Sequence, residues 1–309
     1  KAGLFLMMRL YPVLGGTGLF ESIVATVGLL TMVFAATVAV FKHDLKGLLA
    51  YSTVSHLGLV TCLIGIGTPL AGLAAVFHVL NHATFKASLF MIAGIVDHET
   101  HSRDMRQLGG LWSLMPWTAT LSMVAAASMA GVPLTNGFLS KEMFFTEAVT
   151  GAQGLLGWAL PVAVTLAGVF SVAYSVRLVH DTWFNGPLGD VPNTHPHEPP
   201  LGMKAPSILL VVACIVVGLF PAATFGPLAQ VAATALAGQP LPDYQIAIWH
   251  GFNLPLLMSA IALAAGIGLY LWLARGKRMH RIQSEDWIGP ATGRQLFSLQ
   301  HEFIAIIQS

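Results

Sequence analysis

Long uncharged runs alternate with short polar interruptions along this chain. After an apolar stub, KAGLFLMMRLYP, the runs cover Ser22 to Phe41, Gly47 to Gly67, Pro69 to Val96, Leu111 to Ser140, Ala148 to Val176, Ala205 to Phe225 and Phe252 to Ala274. About 20 apolar residues in helical form cross the roughly 30 Å of a bilayer's hydrocarbon core. The pattern therefore predicts seven complete spans. Strands of a membrane barrel would be about ten residues long and alternate in polarity, which these runs do not. One run is interrupted: in ASMAGVPLTNGFLSKE, Gly131, Pro133, Asn136 and Gly137 break the helix in mid-span, from about Gly131 to Gly137. Unwound backbone is tolerated at that depth only where protein or trapped water satisfies it, and transporters place ion sites at such breaks. The expected fold is an all-α polytopic transmembrane helix bundle with one broken helix.

Composition agrees with that reading. Hydrophobic residues make up 55% of the 309 and charged residues 9%, with a mean hydropathy of +0.71, against about a quarter charged in a soluble domain. A net charge of +1 excludes a broadly basic nucleic-acid surface. Cys62 and Cys214 fall in separate runs without paired spacing and read as small buried apolar side chains. With no Gly-rich nucleotide loop and no cysteine cluster, no cofactor is expected. If the spans alternate, one face collects Lys42, Lys46, Arg103, Arg106, Arg177, Lys204, Arg275, Lys277, Arg278, Arg281 and Arg294, while the other receives only Arg9. That excess marks the first face as cytoplasmic. The Pro-rich connector Asp181 to Lys204 then lies on it, with His195 and His197 read as solvated rather than metal-bound. DHETHSRDMR, with Asp97, Glu99, Arg103, Asp104 and Arg106, reads as a solvated loop that helps dock a partner.

Three basic residues, Lys1, Lys86 and Lys141, belong to neither face. An ionisable group near the bilayer centre costs at least about 2.5 to 3.5 kcal/mol, so each needs a partner, a wet cavity or a task. His78, His82 and Lys86 recur every four residues, so on a helix each is turned by only about 40° from the last and set about 6 Å further along. Asn81 widens this polar stripe. Two core histidines bonded to neighbouring helices are one reading of it. Zinc is another, but no third ligand is near and a lysine follows at the next turn. A proton relay is the third, because imidazole both donates and accepts near neutral pH. Lys141, followed by Glu142, sits just after the helix break, and FFTEAV continues apolar beyond it, favouring an interior position over a surface loop. Lys46 has two readings. Either it faces the cytoplasm behind the capping residue Asp44, or it joins Tyr51, Ser52, Thr53, Ser55 and His56 at the mouth of a water path.

At these residues the sequence resembles the proton-translocating membrane subunits shared by respiratory complex I and Mrp-type cation/proton antiporters. The likeness runs, in family order, through KAGLFLMMRLYP, FKHDLKGLLAYSTVSHLG, FHVLNHATFKASLFMIAGIVDHETHSRDMRQLGGL and NGFLSKEMFF. NHATFKASLFMIAGIVDHETHSRD looks most like the large A-type subunits of Mrp antiporters, since the homologous L-type subunits of complex I usually lack the DHET-like continuation. The resemblance implies a module of two inverted five-helix repeats, each with a broken helix. Read as a fragment, the chain would hold the end of the first repeat (1–19), the second repeat (20–180), the cytoplasmic loop (181–204), two additional spans (205–274) and a basic cytoplasmic segment opening a further helix (275–309). It also implies a proton and ion path: Lys1 joining two half-channels, then His78, His82 and Lys86, then Lys141 with Glu142 as its adjacent acid, and Lys46 on a family lysine. The implied activity is exchange of protons for Na+ or another monovalent cation, by a hetero-oligomer of membrane subunits in the lipid bilayer of a prokaryotic inner membrane. That makes the chain part of a secondary transporter rather than an enzyme. The rival expectations are a proton-pumping L-type subunit of NADH:quinone oxidoreductase and a passive membrane scaffold.

Overall fold

The helices start and stop where the sequence supplies caps. In the computed structural model, which describes residues 1–275 apart from 152–156, 194, 243, 245, 248 and 250, α1 spans Ala2–Leu14 and α2 spans Gly18–Phe41. Residues 276–309, almost all of the expected basic segment, lie outside the described residues, Lys277, Arg278, Arg281 and Arg294 among them. α3, Leu45–Ile66, begins at Asp44, whose carboxylate accepts from the Gly47 amide at 2.5 Å. α2 and α3 form an antiparallel hairpin drawn close by small residues. A Cβ at Gly58 would lie 2.6 Å from the Met32 nitrogen, so any larger residue there forces the pair apart.

α4, Pro69–Thr100, is the long central helix. Thr68 caps it by accepting from the Ala71 amide at 3.0 Å, and Pro69 occupies the first turn, where a missing N–H costs nothing. Its 32 residues rise about 48 Å, more than a hydrocarbon core requires, so its last turns project beyond. The helix ends at His101 in the left-handed region, φ 56°. There follow α5 (Pro116–Ala130), α6 (Asn136–Thr150), α7 (Ala159–Val179), α8 (Leu201–Leu219), α9 (Phe225–Ala237) and α10 (Leu254–Arg275); α5, α6, α8 and α9 pack on α4, while α7 and α10 pack on each other. The described residues contain no strand beyond an isolated bridge between Asp44 and Asp104.

Among the described residues, six helices are long and apolar enough to cross a membrane: α2, α3, α4, α7 with the π-helical turn His180–Phe184 that follows it, α8 and α10. The expected seventh, Leu111 to Ser140, is two half-helices. α5 stops at Gly131, φ 82°, and α6 restarts at Asn136 and runs past Ser140 to Thr150, so the next span begins at Ala159 rather than Ala148. Asn136 and Gly137, read as part of the break, open the second half-helix instead. The run Ala205 to Phe225 is likewise corrected. α8 ends at Leu219, a short 3-10 turn at Pro221–Ala223 redirects the chain, and α9, which the hydropathy pattern does not predict, follows. Continuous apolar sequence conceals that turn.

The basic loops do gather at one end of the bundle. There the Leu45 amide donates to Arg103 O at 2.8 Å, Gly189 to Gln107 O at 2.9 Å, and the Thr118 amide to Glu198 Oε1 at 3.1 Å. DHETHSRDMR corrects the expectation of a wholly solvated loop. α4 carries Asp97 and Glu99, and Glu99 is buried, accepting from the His197 imidazole at 2.6 Å. Arg177 and Lys204 also lie at this end. Both are buried, Arg177 completely, against Asp181 at 3.1 Å, and Lys204 against Glu198 at 3.1 Å.

Candidate functional site

His78, His82 and Lys86 all turn into the bundle, at 0%, 2% and 3% exposure. The four-residue spacing sets them on one face of α4, and packing against α3 and α6 decides that this face looks inward. His56 lies opposite them, near the middle of α3, about 15 Å from either end. Its Nδ1 is 3.0 Å from His78 Nε2, and the two rings stack with 10° between their planes. His78 Nδ1 is 3.0 Å from Ser140 Oγ on α6. On its other side, His56 Nε2 is 3.2 Å from Tyr174 Oη, which is 3.0 Å from Ser171 Oγ. The Lys141 ammonium donates to Ser171 Oγ at 2.9 Å and to Ala130 O at 2.8 Å.

These bonds make a ring. It leaves α6 at Lys141, crosses α7 and α3, and returns to α6 through α4 at Ser140, the residue beside Lys141. Every link between the lysine and Ser140 is a hydroxyl or an imidazole, groups that accept a proton on one atom while releasing one from another. The helix break makes the ring feasible. Gly131 ends α5 with φ 82°, and a Cβ there would lie 2.8 Å from Lys141 Cδ, so glycine leaves the room the lysine stem needs to reach Ala130 O. A second polar knot fixes the break: Asn136 accepts from Ser128 Oγ at 2.5 Å and donates to Thr84 Oγ1 at 2.8 Å, while the Asn81 amide donates to Asn136 O at 3.1 Å. Asn81, expected to widen the relay, instead holds α6 in register with α4.

Lys86 stands apart from the ring. Its amine donates to Ser52 Oγ and to Leu49 O, 3.3 Å away, on α3. Between it and the ring lies His82, whose ring centroid is 5.2 Å from that of His56 and 6.1 Å from that of His78, yet neither of its buried nitrogens has a hydrogen-bond partner among the described residues. Lys86 and Lys141 are each held by neutral oxygens alone. Glu142, next to Lys141 in the chain, is buried as well. Lys46 is tied to Asp97 at 2.7 Å at the basic end, and Lys1 is exposed at the start of α1. The sequence pattern thus placed the α4 stripe and Lys141 in the interior but did not single out Tyr174, Ser171 or Ser140, or the central place of His56. A signal was present. Ser171, Tyr174 and Ser175 repeat at i, i+3 and i+4 in an otherwise apolar span, which marks one polar helix face.

With buried titratable groups joined in a polytopic bundle, the comparisons with known proteins become decisive. Residues 1–170 match the transmembrane family described as NADH:quinone oxidoreductase/Mrp antiporter. The chain belongs to that family. Among its relatives is a probable K(+)/H(+) antiporter A/B subunit from Rhizobium meliloti, 56% identical over 87% of this chain and 27% of that protein. Another is the A-type subunit of the Na(+)/H(+) antiporter of Alkalihalophilus pseudofirmus, 40% identical over 88% of this chain and 37% of that protein. The chain therefore spans about a third of the length of these relatives. A solved structure of the Mrp complex from Dietzia sp. contains a chain that superposes with a TM-score of 0.83 and 35% identity, over all of this chain and 33% of that one. In keeping with that transmembrane family, helices long and apolar enough to cross a membrane dominate the described residues, and His56, His78, His82 and Lys86 lie on two of them.

Proposed function

We propose that this chain is the proton-conducting core of the large A-type subunit of a Mrp-type monovalent cation/proton antiporter, a transporter rather than an enzyme, working beside other membrane subunits in a prokaryotic cytoplasmic membrane. The observation that carries the reading is the ring through Lys141, Ser171, Tyr174, His56, His78 and Ser140, closed across four helices near mid-bundle. Residues 20–180 act as the second repeat of the antiporter module, and the basic end faces the cytoplasm, as the excess of Lys and Arg there favours. A proton on the Lys141 amine passes to Ser171 as Ser171 yields its own to Tyr174, and so on to His56 and His78. His82 is the switch to Lys86. With no partner of its own it is free to bond alternately toward the ring and toward the lysine, and Lys1 and Lys46 extend the path at its ends. Two like charges in one low-dielectric interior repel, so charge arriving at Lys86 or Lys141 favours proton release from the other. Neutral oxygens leave each amine free to alternate in this way. The exchanged ion is monovalent, Na+ by resemblance to the A-type subunits, with K+ named for the Rhizobium relative.

The test is transport in everted vesicles carrying the full-length protein in its complex. Lys141→Ala abolishes cation-driven proton movement while the complex still assembles. Full activity in that variant overturns the relay.

A further inference from the structure

At the basic end, a cavity of about 790 Å³ opens between the α2–α3 turn, the end of α4 and the loop 101–106. Its walls carry Lys42, Asp44, Asp97 and Arg103, and Gly47 and Tyr51, one helical turn apart on α3, form its floor. The residue after Tyr51 is Ser52, the hydroxyl that receives the Lys86 ammonium. The same ammonium reaches Leu49 O, midway between Gly47 and Tyr51 in the chain. The floor of a polar cavity and a buried amine therefore meet at one level of α3, on two sides of the same helix. Two contacts hold residues of the lining, although Lys46 itself is not part of it. Lys46 bridges from α3 to Asp97 on α4 at 2.7 Å, with 36% and 32% of the side chains exposed, and the Lys42 ammonium sits 5.2 Å from the centroid of the Tyr51 ring. An ion pair so exposed contributes little, so it opens readily. The loop does not depend on it, because Asp44 holds Arg103 and the Leu45 amide holds Arg103 O independently.

We propose that this cavity is a port through which protons from the basic side reach Lys86, with Lys46 and Asp97 as its gate. The proposal rests on the relay reading above. A hydrated proton entering when the pair parts is drawn to the freed Asp97 carboxylate, passes the floor beside Tyr51, and is taken up by Lys86 once its ammonium has given its proton to the relay, leaving water behind. Reforming the pair closes the route. Lys46, at the basic end of the path, then acts by positioning Asp97.

The experiment uses the full-length protein in its complex, in a background without other reactive cysteines, carrying Tyr51→Cys and exposed to a membrane-impermeant methanethiosulfonate cation. In everted vesicles, whose cytoplasmic face is outward, Tyr51→Cys is modified, modification blocks proton movement, and adding Asp97→Asn raises the modification rate several-fold. Right-side-out vesicles show no reaction. Gly47→Cys is a second reporter on the same floor should Tyr51→Cys fail to assemble. The port is overturned if the floor cysteines stay unmodified even with Asp97→Asn, if they react only from the opposite side, or if complete modification leaves transport intact. Labelling does not require transport, so a failed relay, seen as an active Lys141→Ala, is distinguishable from a failed port.

Discussion

Charged residues at the basic end and in the middle of the bundle are held in opposite ways. Every ion pair among the described residues lies at the basic end, from Lys46 with Asp97 and Arg103 with Asp44 to the buried Arg177 with Asp181 and Lys204 with Glu198. In the middle, Lys86 and Lys141 bond only to hydroxyls and backbone carbonyls. A carboxylate beside an amine or guanidinium fixes the charge there, whereas neutral oxygens hold the group in place and leave its proton exchangeable. Burial alone does not distinguish structure from function in this molecule. The partner does.

Arg177 and Lys141 give the sharpest way to break that comparison. Arg177→Met leaves Asp181 as an uncompensated buried carboxylate and removes the bonds to Val40 O and His43, at a cost of roughly 3 to 5 kcal/mol. Thermal unfolding of the purified complex shows that loss. Lys141→Met removes an amine whose partners are neutral, so the melting temperature holds while transport disappears. If both variants lose stability equally, the contrast fails. Next comes Gly131→Ala, which forces a side chain into the left-handed region and against Lys141 Cδ; about 1 to 3 kcal/mol of strain is expected, with slower transport, by the same unfolding assay and vesicle flux. Tyr174→Phe cuts the ring between Ser171 and His56. One hydrogen bond of about 1.4 kcal/mol corresponds to a roughly ten-fold fall in transport rate at unchanged assembly.

Smaller effects belong to the exposed contacts. Although partial burial alone would raise it, the Asp104 carboxyl is held below its usual range by hydrogen bonds from Arg106, yet Asp104→Asn should cost at most about 1 kcal/mol in an unfolding titration because the pair is largely solvated. The hydrogen bond to Glu99 raises the His197 imidazole above its ordinary value. A raised histidine contributes fully below its unfolded value, about 6.5, and loses its contribution as pH climbs through the higher folded value. Proteolysis of the segment 185–200 is therefore expected to quicken from mildly acidic to mildly alkaline pH. His197→Ala should make it pH-independent.

Much of the fold was legible because its signals are local. Span lengths, the Gly131 stop, the cap at Asp44 and the inward stripe of α4 each need only a few neighbouring residues. The turn at Pro221 was hidden because apolar residues continue on both sides of it, and hydropathy does not register a change of direction. Charge counting put Arg177 and Lys204 at the basic end but could not show their burial, because it ranks residues by their place along a span and does not register the carboxylate, one turn away or six residues earlier, that takes each inside. Tyr174 and Ser171 passed unnoticed since uncharged hydroxyls barely disturb a hydropathy profile.

What the sequence by itself determined is that this chain is a bundle of membrane helices with one break and three titratable residues on one buried face of α4. The tertiary structure decided which groups those residues meet. His56 bonds His78 across 22 residues of sequence and Tyr174 across 118, and Lys141 finds Ser171 across 30. Helical periodicity fixes the direction a side chain takes from its own axis, but the partner it meets depends on how neighbouring helices are rotated and shifted. That is settled by packing over the whole bundle.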